Sequence, residues 1–375
     1  MSIVANLAAR LKPVASAREI GPIGIDFGLE AMHLVQLESA AGKLPGVRAR
    51  VSLPYESRRE MLQSQHQFRS LIKRALEADR FYRRRAVIAV PSGMFRTISI
   101  NYKSAAGRDA ETAAILKVMK DRLDGDLSDY VLDYLPVKNR SKNDERLALV
   151  AISERKTIVD FLELARKARL DVEALEIGPV AISRLVGALS SESGGGNVLV
   201  INSGRRASYL TLISGTDLLF DQEVEFGETS LIRQAAETLD MPEDMARDLV
   251  LRAGVQSARG VDVVQTTIEE TGLVNTVSEI LKPQFLTLVE EIKRVCLYAA
   301  AETRGGGVSQ VYLLGSIARW PGSDALLSTL TGSKVAKIPD PLALFPGADA
   351  AEKENSAPEI VVATGAALRG FDNGV

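Results

Sequence analysis

At 375 residues, with 46% hydrophobic and 25% charged positions, the sequence reads as a soluble globular chain with room for two domains. A formal net charge of −2 argues against nucleic acid as the main partner. The single cysteine, Cys296, excludes an internal disulfide or a multi-cysteine metal site, and two histidines, His33 and His66, are too few for a histidine-built metal centre. No apolar run approaches the roughly 20 residues needed to span a bilayer.

The chain opens on Ile3, Val4, Leu7, Ala8 and Leu11 at helical spacing, with Arg10 and Lys12 beside the last of them. Charge after the apolar part is the reverse of a secretory signal. Residues 1–20 are expected to form an amphipathic segment, either packed on the body or acting as a weak anchor for a membrane or partner. Alternating apolar residues then predict strands at 22–27, 31–38 and 46–53, and a helix at about 67–79 follows with Phe68, Leu71, Ile72 and Leu76 on one face. The run 85–91 reads as a buried strand stopped by Pro91 and a turn at Ser92 and Gly93.

From about 95 to 170 the pattern changes to a strand (96–101), a helix (110–122), two strands (130–137 and 146–152) joined by a polar loop at 138–144, and a helix (154–168). This βαββα block reads as an inserted subdomain. The parent pattern resumes with a strand at 171–176 and a helix after Gly178 and Pro179, and the Ser/Gly-rich stretch 190–196 is the natural joint between two halves.

The second half opens as the first does. Pro22 to Leu37 forms strand, turn and returning strand around Asp26-x-Gly28, and Asn197 to Leu212 repeats the layout, with Asn202 in the Asp place and Gly204 in the Gly place. A strand at 217–226, helices at 228–239 and 242–253 and a polar stretch at 254–275 come next. The steps of four and three from Leu281 through Phe285, Leu288 and Ile292 predict a long helix at about 283–303, with Cys296 beside the stripe as a core thiol. A buried strand from Val311 runs into a Gly turn at 315–322, a helix starts at Ser323, and a small-residue helix closes the chain at 363–370.

An Asp-x-Gly turn suits a particular chemistry, because glycine tolerates backbone angles that aim successive N–H groups into an anion-binding concavity while the Asp holds hydrated Mg²⁺. Facing turns of this kind would clamp a nucleotide phosphate from both sides. A pair of ordinary β-turns would give the same spacing.

The joint order of these parts resembles the actin-like superfamily and, within it, the PilM family of type IV pilus assembly proteins, itself similar to the cell-division protein FtsA. The resemblance covers the chain after residue 20. Gly24-Ile25-Asp26-Phe27-Gly28, with Leu29 next, falls at the family's first phosphate loop, and Asn202-Ser203-Gly204, followed by Arg205, falls at the second. The stretch opening on Gly315 and Ser316 is similar to the adenosine loop, and Ala363 to Gly370 to the closing helix. The resemblance implies an α/β, actin-like fold of duplicated ribonuclease H-like domains. Residues 21–190 would form the first, with the βαββα subdomain inserted at about 93–170, and residues 197–375 the second, with a small subdomain at about 227–285. It places ATP at Asp26, Phe27, Gly28, Leu29, Asn202, Ser203, Gly204, Arg205, Gly315 and Ser316, and Mg²⁺ at Asp26. Glu176 is the candidate to orient a water, with a plain strand-end carboxylate as the alternative.

Four departures from the family pattern fall where that nucleotide would sit. Leu29, Glu30 and Ala31 replace small hydroxyl residues, and His33 stands in place of Lys; Asn202 stands for Asp, followed by Arg205 and Arg206. Arg247 and Val250 stand for Glu and Lys, and the paired glycines of the adenosine loop become Leu314 and Gly315, where the leucine would fill space open to a purine. Losing several such groups at once should cost many orders of magnitude in phosphoryl transfer. The resemblance therefore implies a cytoplasmic adaptor, peripheral to the inner membrane through its partners, that binds the cytoplasmic tail of a PilN-like membrane protein and links it to other pilus or secretion proteins. Self-association stays open. The alternative is a working ATPase that binds and hydrolyses ATP with Mg²⁺.

Overall fold

Two five-stranded sheets carry the same strand order. In the first, β1 (Glu19–Phe27), β2 (Ala31–Ser39), β3 (Gly46–Pro54), β4 (Arg85–Ala89) and β8 (Asp171–Glu176) lie in the order β3-β2-β1-β4-β8. In the second, β9 (Asn197–Ser203), β10 (Ser208–Ser214), β11 (Asp217–Val224), β12 (Val308–Gly315) and β13 (Val335–Lys337) lie in the order β11-β10-β9-β12-β13. Each sheet joins an antiparallel meander of three strands to two further parallel strands. The registers repeat too: Asp26 stands opposite His33, and Asn202 opposite Tyr209.

This computed structural model describes residues 19–28, 31–39, 45–103, 107–137, 145–189, 196–215, 217–255, 268–302, 305–338, 341–345 and 358–371. Residues 1–18 of the expected amphipathic segment, Leu29, Glu30 and the polar loop at 138–144 lie outside the described residues.

Between β4 and β8 comes a three-stranded antiparallel sheet of β5 (Arg96–Lys103), β6 (Tyr130–Val137) and β7 (Glu145–Glu154) in the order β5-β7-β6. One face packs Ile100, Tyr102, Val150 and Ile152 on Ile115 and Met119 of α3 (Arg108–Lys120). From this sheet Val137 and Leu147 join the core of the second half.

The outer face of the first sheet places Ile23, Ile25 and Phe27 on α2 (Gln65–Ala78) and α4 (Arg155–Lys167). There the Phe27 ring stacks on Phe68 at 5.2 Å and meets Phe161 edge-on at 5.8 Å. The inner faces of both large sheets enclose α5 (Gly178–Leu189) and α10 (Val361–Leu368): Val35, Val87 and Ala89 contribute from one side, and Val200, Ile213 and Leu314 from the other. Small residues allow this close layering. A methyl group at Gly24 would collide with the Ala363 carbonyl and the Ala367 amide of α10, and one at Gly365 with the Ala181 carbonyl of α5.

On the outer face of the second sheet, α6 (Glu228–Leu239), α7 (Glu243–Ala253), α8 (Ile268–Glu302) and α9 (Ser323–Thr331) complete the core. Half-buried Cys296 packs against it, and burial pushes its thiol pKa up.

Local structure departs from expectation where packing outweighs propensity. The long helix begins at Ile268 and runs through Pro283 rather than starting there. An interior proline costs about 3 kcal/mol, yet Val277 and Leu281 before it and Phe285 and Leu288 after it are all buried on one stripe, so the helix is held on both sides. A short α1 (Arg58–Gln63) was not foreseen, although Ser57 caps the Glu60 amide at 3.3 Å in the S-x-x-E spacing of a helix start.

Candidate functional site

The turn of the first hairpin is closed by two residues far along the chain. Tyr55 donates to the Gly28 carbonyl, and Arg58 Nη1 donates to the Phe27 carbonyl at 3.3 Å. The same guanidinium reaches the loop after β4, at 3.1 Å to Ser92 Oγ and 2.7 Å to its carbonyl. The Ser92 side chain also lies close enough to the Tyr209 hydroxyl to act on it. Tyr209 is the cross-strand neighbour of Asn202, so the loop after β4 lies beside the second hairpin.

Asp26 lies beside Arg58. Burial pushes its carboxyl up to about 7, and the guanidinium acts against that rise. Opposite it, His33 holds Ser52 Oγ at 2.8 Å through Nδ1, and burial pushes the imidazole down to about 4, so it is neutral at pH 7. Across on β10 and β11, the Tyr209 hydroxyl donates to Glu223 at 2.6 Å and Thr211 to Asp221 at 2.7 Å, and burial pushes Asp221 up to about 7. Among the described residues no three His, Cys, Asp or Glu side chains converge closely enough to hold a metal ion.

The second turn uses its polar groups on the fold itself. Gly204 donates its N–H to the Ala207 carbonyl at 3.0 Å. Ser203, 1% exposed, donates to the Leu314 carbonyl at 2.8 Å and accepts from the Ile317 amide at 2.9 Å. The Ser316 hydroxyl lies 3.2 Å from the Ser203 and Gly204 carbonyls. Those of Gly204 and Arg205 accept from the Glu228 and Thr229 amides at 3.1 and 2.8 Å, at the start of α6. The residues Ser203, Gly204, Arg205, Gly315 and Ser316 are thus brought together, with Asn202 preceding them on β9. Gly315, at φ +83°, sits where any side chain would strike the Ser203 carbonyl. Neither Gly28 nor Gly204 has the positive φ expected of an anion-binding concavity; at Gly204 it is the closeness of the Ala207 carbonyl that requires glycine.

Beneath this turn lies a group the sequence did not disclose. Glu228 is fully buried, and its carboxylate accepts from Arg247 Nη1 at 3.1 Å and from Trp320 Nε1 at 3.1 Å. Arg205 and Arg319 approach it to 3.8 and 3.6 Å, and Arg319 also reaches Glu359 at 3.2 Å. One carboxylate therefore gathers the second turn, α7 and the 315–322 loop. Its only sequence signal is an acid in the first turn of α6, which suits the helix dipole. Val250 is buried in the core of the second half, and Leu314 in the core around α5 and α10 rather than over the loop.

Glu176, at the end of β8, is equally engaged. Arg184 of α5 holds both its oxygens, Arg369 adds a contact at 3.2 Å, and Arg184 also donates to the Gly365 carbonyl at 2.8 Å. This is the geometry of a clamp between a strand end and two helices.

Solved structures share this architecture. Over 94% of this chain and 99% of the other, it is similar to a structure described as a PilM-PilN type IV pilus biogenesis complex, with a TM-score of 0.71 and 19% identity. It also resembles the ethanolamine utilization protein EutJ from Carboxydothermus hydrogenoformans (TM-score 0.50, 16% identity, 93% and 89% of the two chains). A third likeness is to MreB 5 of Spiroplasma citri bound to AMPPNP (TM-score 0.50, 11% identity, 94% and 98%). The duplicated sheets thus form an actin-like fold, the class expected from the sequence. Residues 24–371 match the family described as type IV pilus assembly protein PilM, and the chain belongs to that family.

Proposed function

We propose that the chain serves type IV pilus assembly as a docking platform at the cytoplasmic face of the inner membrane, holding the cytoplasmic tail of a PilN-like membrane protein, and that its nucleotide site is degenerate. A solved relative described as a PilM-PilN complex supports the partner. No helix among the described residues is long and apolar enough to cross a membrane, which suits attachment through a partner. For an extended tail, β5 and β6 each pair only with β7 among the described residues and present an edge to which a strand can add.

The observation that carries the degenerate site is the Glu228 cluster. A nucleotide bound by this fold needs its phosphates met by backbone amides and cations, with Mg²⁺ on an ionised carboxylate. Here Glu228 already supplies the anion for Arg247 and Trp320, and the Gly204 amide is used within its own turn. In this reading the residues do not fit a Mg²⁺–nucleotide. In this reading Glu176 is a clamp, not a water-orienting base.

The test pairs two measurements on the full chain. Isothermal titration with the N-terminal tail of the PilN-like protein from the same cell should give saturable binding that is indifferent to ATP. Thermal melts with millimolar ATP and Mg²⁺ should be unchanged. A rise of several degrees, or tail binding only in the presence of ATP, would replace this reading with the working ATPase, since a ligand stabilises by binding the native state.

A further inference from the structure

Six large apolar side chains stand exposed among the described residues, and two of them, Leu286 at 44% and Leu297 at 72%, lie on α8. Three helical turns, about 16 Å, separate them, so they share one stripe of the helix. Glu290 and Lys293 stand between them on that stripe, exposed and paired at 2.9 Å, and exposed Pro283 and Ala301 extend it at either end. The opposite side of the helix is buried in the core, where Leu288, Ile292, Val295 and Ala299 are each 2% exposed or less. The outer stripe therefore adds nothing to the fold of its own chain.

The stripe has a symmetry of its own. Leu286 and Leu297 are equidistant from the midpoint between Glu291 and Ile292, and Glu290 and Lys293 are equidistant from the same point with opposite charge. Turned end for end, a second copy sets leucine against leucine and Glu290 against Lys293, twice over. Since each pair is already closed within its own helix, the two copies meet as four alternating charges. A parallel copy would instead set Glu290 on Glu290 and Lys293 on Lys293, which repel. The neighbouring Arg294 is matched by Glu291 at 2.7 Å and does not upset this balance.

We propose that this face of α8 is the interface of a two-fold homodimer in which two α8 helices pack antiparallel. The occupant is a second copy of this chain because the apolar ends and the charged centre complement their own reverse. A two-fold contact uses the same patch on both chains and closes on itself, so association stops at two. One helix face buries less than a standard interface, and pairing is correspondingly weak, with Kd on the order of 10 µM. The interface shares no residue with the edges of β5 and β6, so a dimer joins two platforms and leaves both open to their tails.

Sedimentation equilibrium of the full chain should show a monomer–dimer exchange, weakened by salt. Leu297→Lys and Glu290→Lys should each weaken it about tenfold, with an unchanged melting temperature in dilute solution. Glu290→Lys/Lys293→Glu, which exchanges the two charges, should pair as the parent does. In a Cys296→Ala background, Leu286→Cys and Leu297→Cys chains should cross-link on oxidation when mixed, and neither should when alone. A chain that stays monomeric to about 500 µM overturns the proposal, as does pairing that survives Leu297→Lys or is not restored by the charge exchange. Cross-linking of either cysteine variant with itself overturns the antiparallel arrangement. A monomer whose Leu297→Lys variant loses the PilN-like tail would assign the face to that protein and also overturns the dimer.

Discussion

Arg184 meets Glu176 through two parallel hydrogen bonds of 3.0 Å, one from each terminal nitrogen. The side chains are 14% and 3% exposed, so neither charge has water to fall back on. Glu176→Ala leaves Arg184 buried without its anion and should cost about 3 to 5 kcal/mol in urea denaturation. Arg369→Ala removes a half-exposed partner and should cost less than about 1 kcal/mol. Equal losses in the two variants would show that the carboxylate is not the centre of the clamp.

Glycine at position 24 lets α10 lie directly on β1. Gly24→Ala should therefore abolish the cooperative melt or cost more than about 4 kcal/mol, the range of a grossly disrupted core. Gly187 of α5 is exposed and has nothing within 4 Å of the added methyl. Gly187→Ala should instead raise stability by about 0.5 to 1 kcal/mol through helix propensity.

Two titrating groups of the first hairpin, half-buried Asp26 and buried His33, set opposing pH trends. Asp26 holds its proton up to about 7 in the fold against 3.8 ordinarily, so the native state binds that proton more tightly. Its contribution is present below pH 4 and is lost as pH rises to 7, by up to about 1.4 kcal/mol per pH unit. His33, lowered to about 4 from 6.5, acts the other way, and its contribution is lost as pH falls from 6.5 to 4. Asp26→Asn should match the parent near pH 4 and melt higher at pH 8. A variant that melts lower at pH 8 would show that ionised Asp26 is favoured in the fold.

Tyr209→Phe removes the hydroxyl that donates to Glu223 and lies by the Ser92 side chain. The expected loss is about 1 kcal/mol, with faster amide exchange at residues 91–94 and around the first turn. Exchange confined to β10 and β11 would mean that the hydroxyl does not join the two hairpins.

The repeated hairpin was legible because its signal is local: alternating apolar residues around Asp26 and Asn202 dictate strand, turn and strand. The same holds for the inserted block, where β5, α3, β6, β7 and α4 follow the predicted order closely. The Glu228 cluster was not legible, since Arg205, Arg247 and Trp320 come to it from three separate segments. A single acid near a helix start is common and carries no mark of its partners. Pro283 misled for the opposite reason, being a strong local stop overruled by buried leucine, valine and phenylalanine on either side.

The layer formed by α5 and α10 bears on how the chain is made. Strand β1 leaves the ribosome well before the helix that covers its Gly24 face, which comes about 340 residues later, a delay of roughly 20 to 70 s at ordinary synthesis rates. Until then an apolar surface of the first half stands uncovered. Productive folding should therefore depend on chaperone protection during translation.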